Sequence, residues 1–308
     1  MKILNFGSCN IDNVYEIDHI VTPGETISSD SLTHFPGGKG LNQSVAISRS
    51  GEKVYHAGCI GSDGGLLKTV LIDAGVDVRY LKTVDTPTGC AIIQLDPRGE
   101  NSIILYPGAN HAIDKPYIDE VISEFDEGDI LVLQNEISNL DYIIKKAAQK
   151  KMKIVLNPSP FEDKLREIDL DDISVLILNE VEASAFAGAK DSEAICDYFA
   201  SHYKNLEVVL TLGSRGAVYV GKNVRVSCPS YQVEVEDTTA AGDTFTGYFI
   251  SAMVNKTDVS AALKRASAAA AIAVSKKGAA SSIPFKNEVD EKMPHLKANI
   301  APAKEEKR

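Results

Sequence analysis

The stretch VEDTTAAGDTFTGYF, residues 235–249, sets Ala240, Ala241 and Gly242 before Asp243 and then turns apolar and aromatic. The apolar spacing after Asp243 reads as a buried helix, so the small residues fall at a helix N-terminus. There the first N–H groups lack partners and the macrodipole is positive, and small side chains let an anion approach the bare amides. An isolated Gly-Asp pair at such a place is ordinarily a cap. A general base is the other job open to Asp243, and the surrounding sequence has to decide between them. A second glycine cluster, FPGGKGLNQSVAISRSG, places Gly37, Gly38 and Gly40 before another apolar periodic run. It has neither the GxxxxGK[ST] nor the GxGxxG spacing, and alone it reads as a tight turn packed under a sheet. In LNEVEA, Asn179 and Glu182 sit three apart at a helix start, as a capping pair or as a water-mediated magnesium site.

The elements that must position these residues follow from periodicity. DILVLQNE, KIVLNPSP, SVLILNE and EVVLTLGSRG are short apolar runs of buried strands, separated by amphipathic helical stretches such as NLDYIIKKAAQKK and SEAICDYFASHYK. Crossover connections between such strands give an α/β fold with a doubly wound, mostly parallel sheet. The first third differs. Segments 14–36 and 88–107 alternate in a β-like manner around Pro and Gly turns, and DPRGEN marks a hairpin. They form either a small projecting sheet that acts as a lid or extra edge strands of the main sheet. The charged tail 301–308 reads as disordered.

Composition narrows the function classes. The 308 residues are 44% hydrophobic and 24% charged, as in a globular protein, and contain no apolar run long enough to span a bilayer. The N-terminus lacks the apolar core and cleavage site of a secretory signal, which places the protein in the cytoplasm. The five cysteines, Cys9, Cys59, Cys90, Cys196 and Cys228, are scattered without a CxxC pair, so they read as buried thiols and not as a zinc site. A net charge of -11 opposes nucleic-acid binding, and an anionic small ligand would need a local trap.

Taken in order, GSCNID, GGKGLNQSVA, LNPSP, LNEVEA, TLGSRG, DTTAAGDTF and AAAAIAVSKKGAASSIP resemble the ribokinase-like sugar kinases of the PfkB type, over nearly the whole chain. The likeness is greater to the ribokinase branch than to the fructose phosphate or nucleoside branches. It implies one ribokinase-like domain over residues 1–300 that moves the γ-phosphate of ATP to the primary 5-hydroxyl of D-ribose. Asp243 would be the base, and the amides of Ala240, Ala241, Gly242 and Asp243 the anion hole. By the same resemblance Asn10, Asp12, Gly38, Lys39, Asn42 and Glu136 would bind the sugar, together with Asp243. Without the family pattern, Asp12 reads as a solvated strand end and Glu136 as a helix cap.

The resemblance also implies that the nucleotide lies along Thr211, Gly213, Ser214, Arg215 and Gly216, with Gly242 beneath its phosphates. Ser267 stands near the adenine, where the family often has a larger His or Asn. Asn179 and Glu182 would organise Mg2+ through water. A K+ ion would lie by the anion hole on Asp237, Thr239, Ala273, Lys276, Gly278 and Ser282, with Lys276 giving its carbonyl and not its ammonium. Homodimerisation through the β lid is implied as well. The rival readings are a kinase of this fold for deoxyribose or a nucleoside, and a sugar or nucleotide sensor without catalysis. The first strand lacks the dinucleotide fingerprint, which excludes a dehydrogenase.

Overall fold

The computed structural model describes residues 1–299; the tail 301–308 lies outside the described residues. In chain order its strands are β1 (Ile3–Phe6), β2 (Asn10–Glu16), β3 (Ser31–Gly37), β4 (Val54–Ile60), β5 (Asp77–Thr83), β6 (Gly89–Leu95), β7 (Asn101–Tyr106), β8 (Ile130–Gln134), β9 (Lys153–Asn157), β10 (Val175–Asn179), β11 (Glu207–Thr211), β12 (Ala217–Gly221) and β13 (Val224–Cys228). The helices used below are α1 (Lys39–Arg49), α2 (Gly65–Asp73), α3 (Lys115–Ser123), α4 (Leu140–Gln149), α5 (Glu180–Ala187), α6 (Ser192–His202), α7 (Ala241–Val254) and α8 (Val259–Val274).

A nine-stranded sheet runs in the order β13-β12-β11-β10-β9-β8-β1-β4-β5. It is parallel from β11 to β5, and β12 and β13 are antiparallel additions at one edge. This is the doubly wound α/β class that the apolar runs predict. Alternate residues of each strand feed two cores. Ile3, Val54, Val132 and Val155 face the core beneath α1, α7 and α8, whereas Leu4, Leu131, Leu133 and Ile154 face the core beneath α3, α4 and α6. The winding reverses between β1 and β8, and at such a switch point the crevice opens outside the carboxyl ends of the strands.

The β-like segments of the first third make a separate four-stranded sheet, β3-β2-β6-β7, and are not edge strands of the main sheet. β2 and β6 pair in parallel, and the outer pairs are antiparallel. Residues 17–30 contribute no strand to it. The DPRGEN hairpin forms between β6 and β7. Asp96 Oδ1 accepts the amides of Arg98 at 2.9 Å and Glu100 at 3.0 Å, and Gly99 takes a positive φ of 82°.

α7 lies against α1 at a backbone-close crossing. A Cβ on Gly247 would stand 2.4 Å from Ala46 Cβ and 2.8 Å from the Ala46 carbonyl carbon. Gly247→Val is therefore expected to push the helices apart and to lower Tm by at least about 5 °C in thermal denaturation. An unchanged Tm would contradict the close crossing.

Candidate active site

A cavity of about 460 Å³ opens at the switch point, between the strand ends, the N-termini of α1 and α7, and the inner face of the small sheet. Of the residues singled out in the sequence, Asn10, Asp12, Gly38, Lys39, Asn42, Glu136, Asn179, Glu182, Thr211, Thr239 and the loop Ala240, Ala241, Gly242, Asp243 line it. Gly213, Ser214, Arg215, Gly216, Ser267, Asp237, Ala273, Lys276, Gly278 and Ser282 do not.

Ala240 precedes α7 in the left-handed region, φ 61°, and no side chain caps the helix. The Ala241 amide turns back to Thr238 O at 3.2 Å, and the Thr244 amide closes the first helical bond to Ala240 O at 2.8 Å. Between them the amides of Gly242 and Asp243 have no hydrogen-bond partner among the described residues. A Cβ on Gly242 would meet nothing within 4 Å, so the space beside these amides is open. Asp243 is not a cap. Its side chain is buried, with Oδ2 accepting from Asn42 Nδ2 at 3.1 Å and Oδ1 from Gln43 Nε2 at 2.9 Å.

At the other end Asn110 Nδ2 donates to Asn10 Oδ1 at 2.7 Å and fixes that amide. Gly38, φ 93°, turns the chain into α1, whose first amide, on Lys39, donates to Glu136 Oε2 at 3.0 Å. Ser8 Oγ donates to the same oxygen. Glu136 thus does cap α1, but from the end of β8 and across the cavity floor. The Asp12 carboxylate lies against Gly37 Cα, where any side chain at 37 would collide with it.

Charges are crowded here. Burial, and then the nearby Glu136, push the Asp12 carboxyl up to about 7. Burial also raises the Glu136 carboxyl, opposed by Lys39 and the Ser8 hydroxyl. Burial alone would pull the Lys39 ammonium down, but Asp243, Glu136 and Glu182 together hold it above its ordinary value. One ammonium among three carboxylates is not by itself an anion trap; the local positive field comes from the bare Gly242 and Asp243 amides at the N-terminus of α7, with Lys39 beside them.

Glu182 and Asn179 form a capping box on α5, each side chain accepting the other's amide at 3.0 Å. Glu182 is nevertheless buried and lines the cavity. Thr211 ends β11 beside it. The Gly213–Arg215 turn lies beyond the cavity, with Ser214 O accepting from Asn299 Nδ2 at 2.9 Å and Arg215 ion-paired to Glu180. Ser267 is buried on α8 against the Cys228 thiol. Asp237 joins two loops, its Oδ1 accepting the Thr239 amide at 2.8 Å and its Oδ2 the Gly278 amide at 3.0 Å. Burial raises the Asp237 carboxyl, but these donors hold it below the usual carboxylate range. Lys276 Nζ pairs with Glu288 at 2.7 Å, Lys276 N donates to Ala273 O at 3.1 Å, and Ser282 is buried.

Asn101, Ser159, Thr238 and Thr246 line the cavity without having been predicted, and four further unpredicted polar residues hold or bridge site side chains. Gln43 holds Asp243, Asn157 accepts from Gln43 at 3.1 Å, Ser8 holds Glu136, and Asn110 holds Asn10. Gln43 immediately follows Asn42, and Asn157 ends an apolar strand inside LNPSP, so both lay within quoted motifs. The ceiling is apolar, made by Ala91, Ile93, Ile103 and Leu105 of the small sheet.

A carboxylate beside bare helix amides, in an open crevice with a polar floor at the switch point of the sheet, fits an α/β phosphotransferase. The model of the pfkB family carbohydrate kinases matches residues 1–286, and the chain belongs to that family. It is a kinase. It is similar to the ribokinase of Haemophilus influenzae, 36% identical over 298 residues that cover 94% of this chain and 97% of the relative. Among solved structures it is similar to ribokinase from Cryptococcus neoformans in complex with ADP, with a TM-score of 0.85, 35% identity and 94% and 99% of the two chains covered. It is also similar to Arabidopsis thaliana ribokinase complexed with ribose and ATP, with a TM-score of 0.84, 31% identity and 95% and 98% covered.

Proposed function

We propose that the protein transfers the γ-phosphate of ATP to the primary 5-hydroxyl of D-ribose. The observation that carries this reading is the joining, in one cavity, of Asp243 and the bare amides of Gly242 and Asp243 to a floor of Asn10, Asp12, Asn42 and Glu136. Those floor groups suit the vicinal hydroxyls of a free pentose, and a sugar lacking one hydroxyl leaves a buried polar group unpaired. Asp243 orients the acceptor hydroxyl. Because a carboxylate is a weak base beside an alcohol, the proton leaves late, as the new oxygen–phosphorus bond forms. The Gly242 and Asp243 amides, with Lys39, meet the charge on the equatorial oxygens without reorganising.

Asp12 adds a pH dependence. With its carboxyl near 7, sugar affinity is expected to improve as pH rises through neutrality, and Asp12→Asn to weaken sugar binding and remove that slope in calorimetric titrations. The sign for stability is opposite. The folded-state value lies above the ordinary unfolded value of about 3.9, so the folded chain holds the extra proton between about pH 4 and 7 and loses stability across that window. Asp12→Asn should therefore melt higher than the parent at pH 8, by a few degrees.

In this reading the nucleotide runs along Thr211, Gly213, Ser214, Arg215 and Gly216, past Gly242 and toward Ser267. Glu182 and Asn179 fit an outer-sphere Mg2+ site, since Glu182 presents a buried carboxylate to the cavity while one oxygen is fixed by the Asn179 amide. Magnesium would neutralise phosphate charge. Asp237 and Thr239, with carbonyls from Ala273, Lys276 and Gly278 and with Ser282, fit a K+ site of oxygen donors. The pairing of the Lys276 ammonium with Glu288 supports a role for its carbonyl alone. Asp237 itself ties Thr239 to Gly278 and so steadies the anion loop.

The outer face of the small sheet exposes Leu32 (45%), Ile92 (40%), Ile104 (59%) and Tyr106 (48%), an apolar patch that favours a homodimer through the lid. A kinase works where ATP is maintained, which places the reading in the cytoplasm. No helix among the described residues is long and apolar enough to cross a membrane. The test is ADP release with Mg-ATP across ribose, deoxyribose, fructose 6-phosphate and nucleosides, in potassium or sodium. Ribose-dependent turnover stimulated by potassium is expected. Turnover with deoxyribose or a nucleoside alone would move the substrate, and none at all would favour a sensor.

A further inference from the structure

The side chains behind Asp243 form a buried polar seam across the sheet centre. β4, β1, β8 and β9 lie side by side, and each places one polar residue two positions after an apolar core residue. These are His56 after Val54, Asn5 after Ile3, Gln134 after Val132 and Asn157 after Val155. All therefore face α1 and α7. Asn5, His56, Gln134 and, on α1, Gln43 and Ser44 have no exposed surface. Polar groups so placed cost stability unless every one is bonded, and apolar residues would fill these positions at lower cost.

The donors diverge from Gln134, toward Asp243 on one side and toward Ser44 on the other, and Gln134 Oε1 has no partner among the described residues. Gln43 Nε2 spends both its hydrogens, on Asp243 Oδ1 at 2.9 Å and Asn157 Oδ1 at 3.1 Å, while Gln43 Oε1 accepts from Gln134 Nε2 at 2.6 Å. Gln134 Nε2 spends its other hydrogen on Asn5 Oδ1 at 3.0 Å. Asn5 Nδ2 donates to Gly40 O at 2.7 Å and Ser44 Oγ at 2.8 Å, and Ser44 Oγ lies 2.8 Å from His56 Nδ1. A carboxylate can only accept, so Asp243 dictates which end of Gln43 faces it, and each amide in turn dictates the next. We propose that Gln43 is a positioning residue for phosphoryl transfer: clamped by Gln134 and Asn157, it fixes the plane of the Asp243 carboxylate and aims it at the acceptor hydroxyl. This rests on the reading of Asp243 as the base. Gln43 does not line the cavity, so it acts on the reaction through Asp243 and not on the substrates.

The test is Gln43→Met, which keeps side-chain length without the amide, alone and in an Asp243→Ala background. In the parent background kcat is expected to fall about 10- to 100-fold, the cost of a misaimed group, with KM for sugar and ATP within about threefold. In the Asp243→Ala background the same change should alter kcat by less than about twofold, because the group it aims is gone. An equal fractional loss in both backgrounds, or a folded Gln43→Met that retains kcat within about twofold, would overturn the proposal. If Gln43→Met does not fold, Gln134→Met decides in its place, with the same kcat-selective loss at smaller size expected and an additive loss contradicting. Should Asp243→Ala itself keep near-parent kcat, the base reading falls and this inference with it.

Discussion

Asp243→Asn is expected to lower kcat by roughly 100- to 10,000-fold while leaving KM for sugar and ATP nearly unchanged, as measured by coupled ADP release. The asymmetry follows from where the group acts. Asp243 is the buried carboxylate beside the bare α7 amides, and the lone pair it offers the acceptor hydroxyl gains its value as the proton departs in the transition state. An asparagine fits the same space. Its amide nitrogen, however, would face one of the two donors, Asn42 Nδ2 or Gln43 Nε2, that now converge on the carboxylate. Some loss of Tm should accompany the loss of turnover, so Asp243→Ala, which sets no donor against donor, is the companion variant. If both variants fold and both keep kcat within tenfold of the parent, Asp243 is not the base.

Gly242→Val is expected to leave the fold intact and remove the activity. A Cβ at this position meets no protein atom within 4 Å, and the residue sits in the first turn of α7, where a side chain costs the helix nothing. Tm should stay within about 2 °C of the parent. The branched side chain would instead stand in the space over the bare amides, where the phosphoryl group must pass. A loss of roughly 100- to 1,000-fold in kcat, comparable to removing one oxyanion donor, is the expected result. Set beside Gly247→Val on the same helix, it separates two uses of glycine: position 247 is closed by Ala46, and position 242 is open to the ligand.

Much of the architecture was legible in the sequence, for identifiable reasons. ILVLQ, KIVLN and VLILN are buried on both faces of a parallel sheet and read as continuous apolar runs, and Asp96 and Gly99 mark the β6–β7 turn. The sheet to which the early β segments belong was not legible. Alternation shows that a strand has two unlike faces but does not show what covers the apolar one, and here Ala91, Ile93, Ile103 and Leu105 cover a cavity. Asp243 and the glycine-rich start of α1 stood out because few roles need such small residues at a helix start. The polar seam did not stand out. Asn5 and His56 are single polar residues inside apolar strands, and Gln134 and Asn157 look like strand ends, so their common face appears only once the strands are paired. Gly213, Ser214, Arg215, Gly216 and Ser267, which lie outside the cavity, were reached through family resemblance alone.

The most direct measurement is a phosphorus–proton correlation spectrum of the products formed from D-ribose and Mg-ATP. One phosphosugar is expected, with the phosphate coupled to the C5 protons and formed in step with ADP. ADP with inorganic phosphate alone, a phosphate on another carbon, or unconsumed ATP in the presence of ribose and potassium would contradict it.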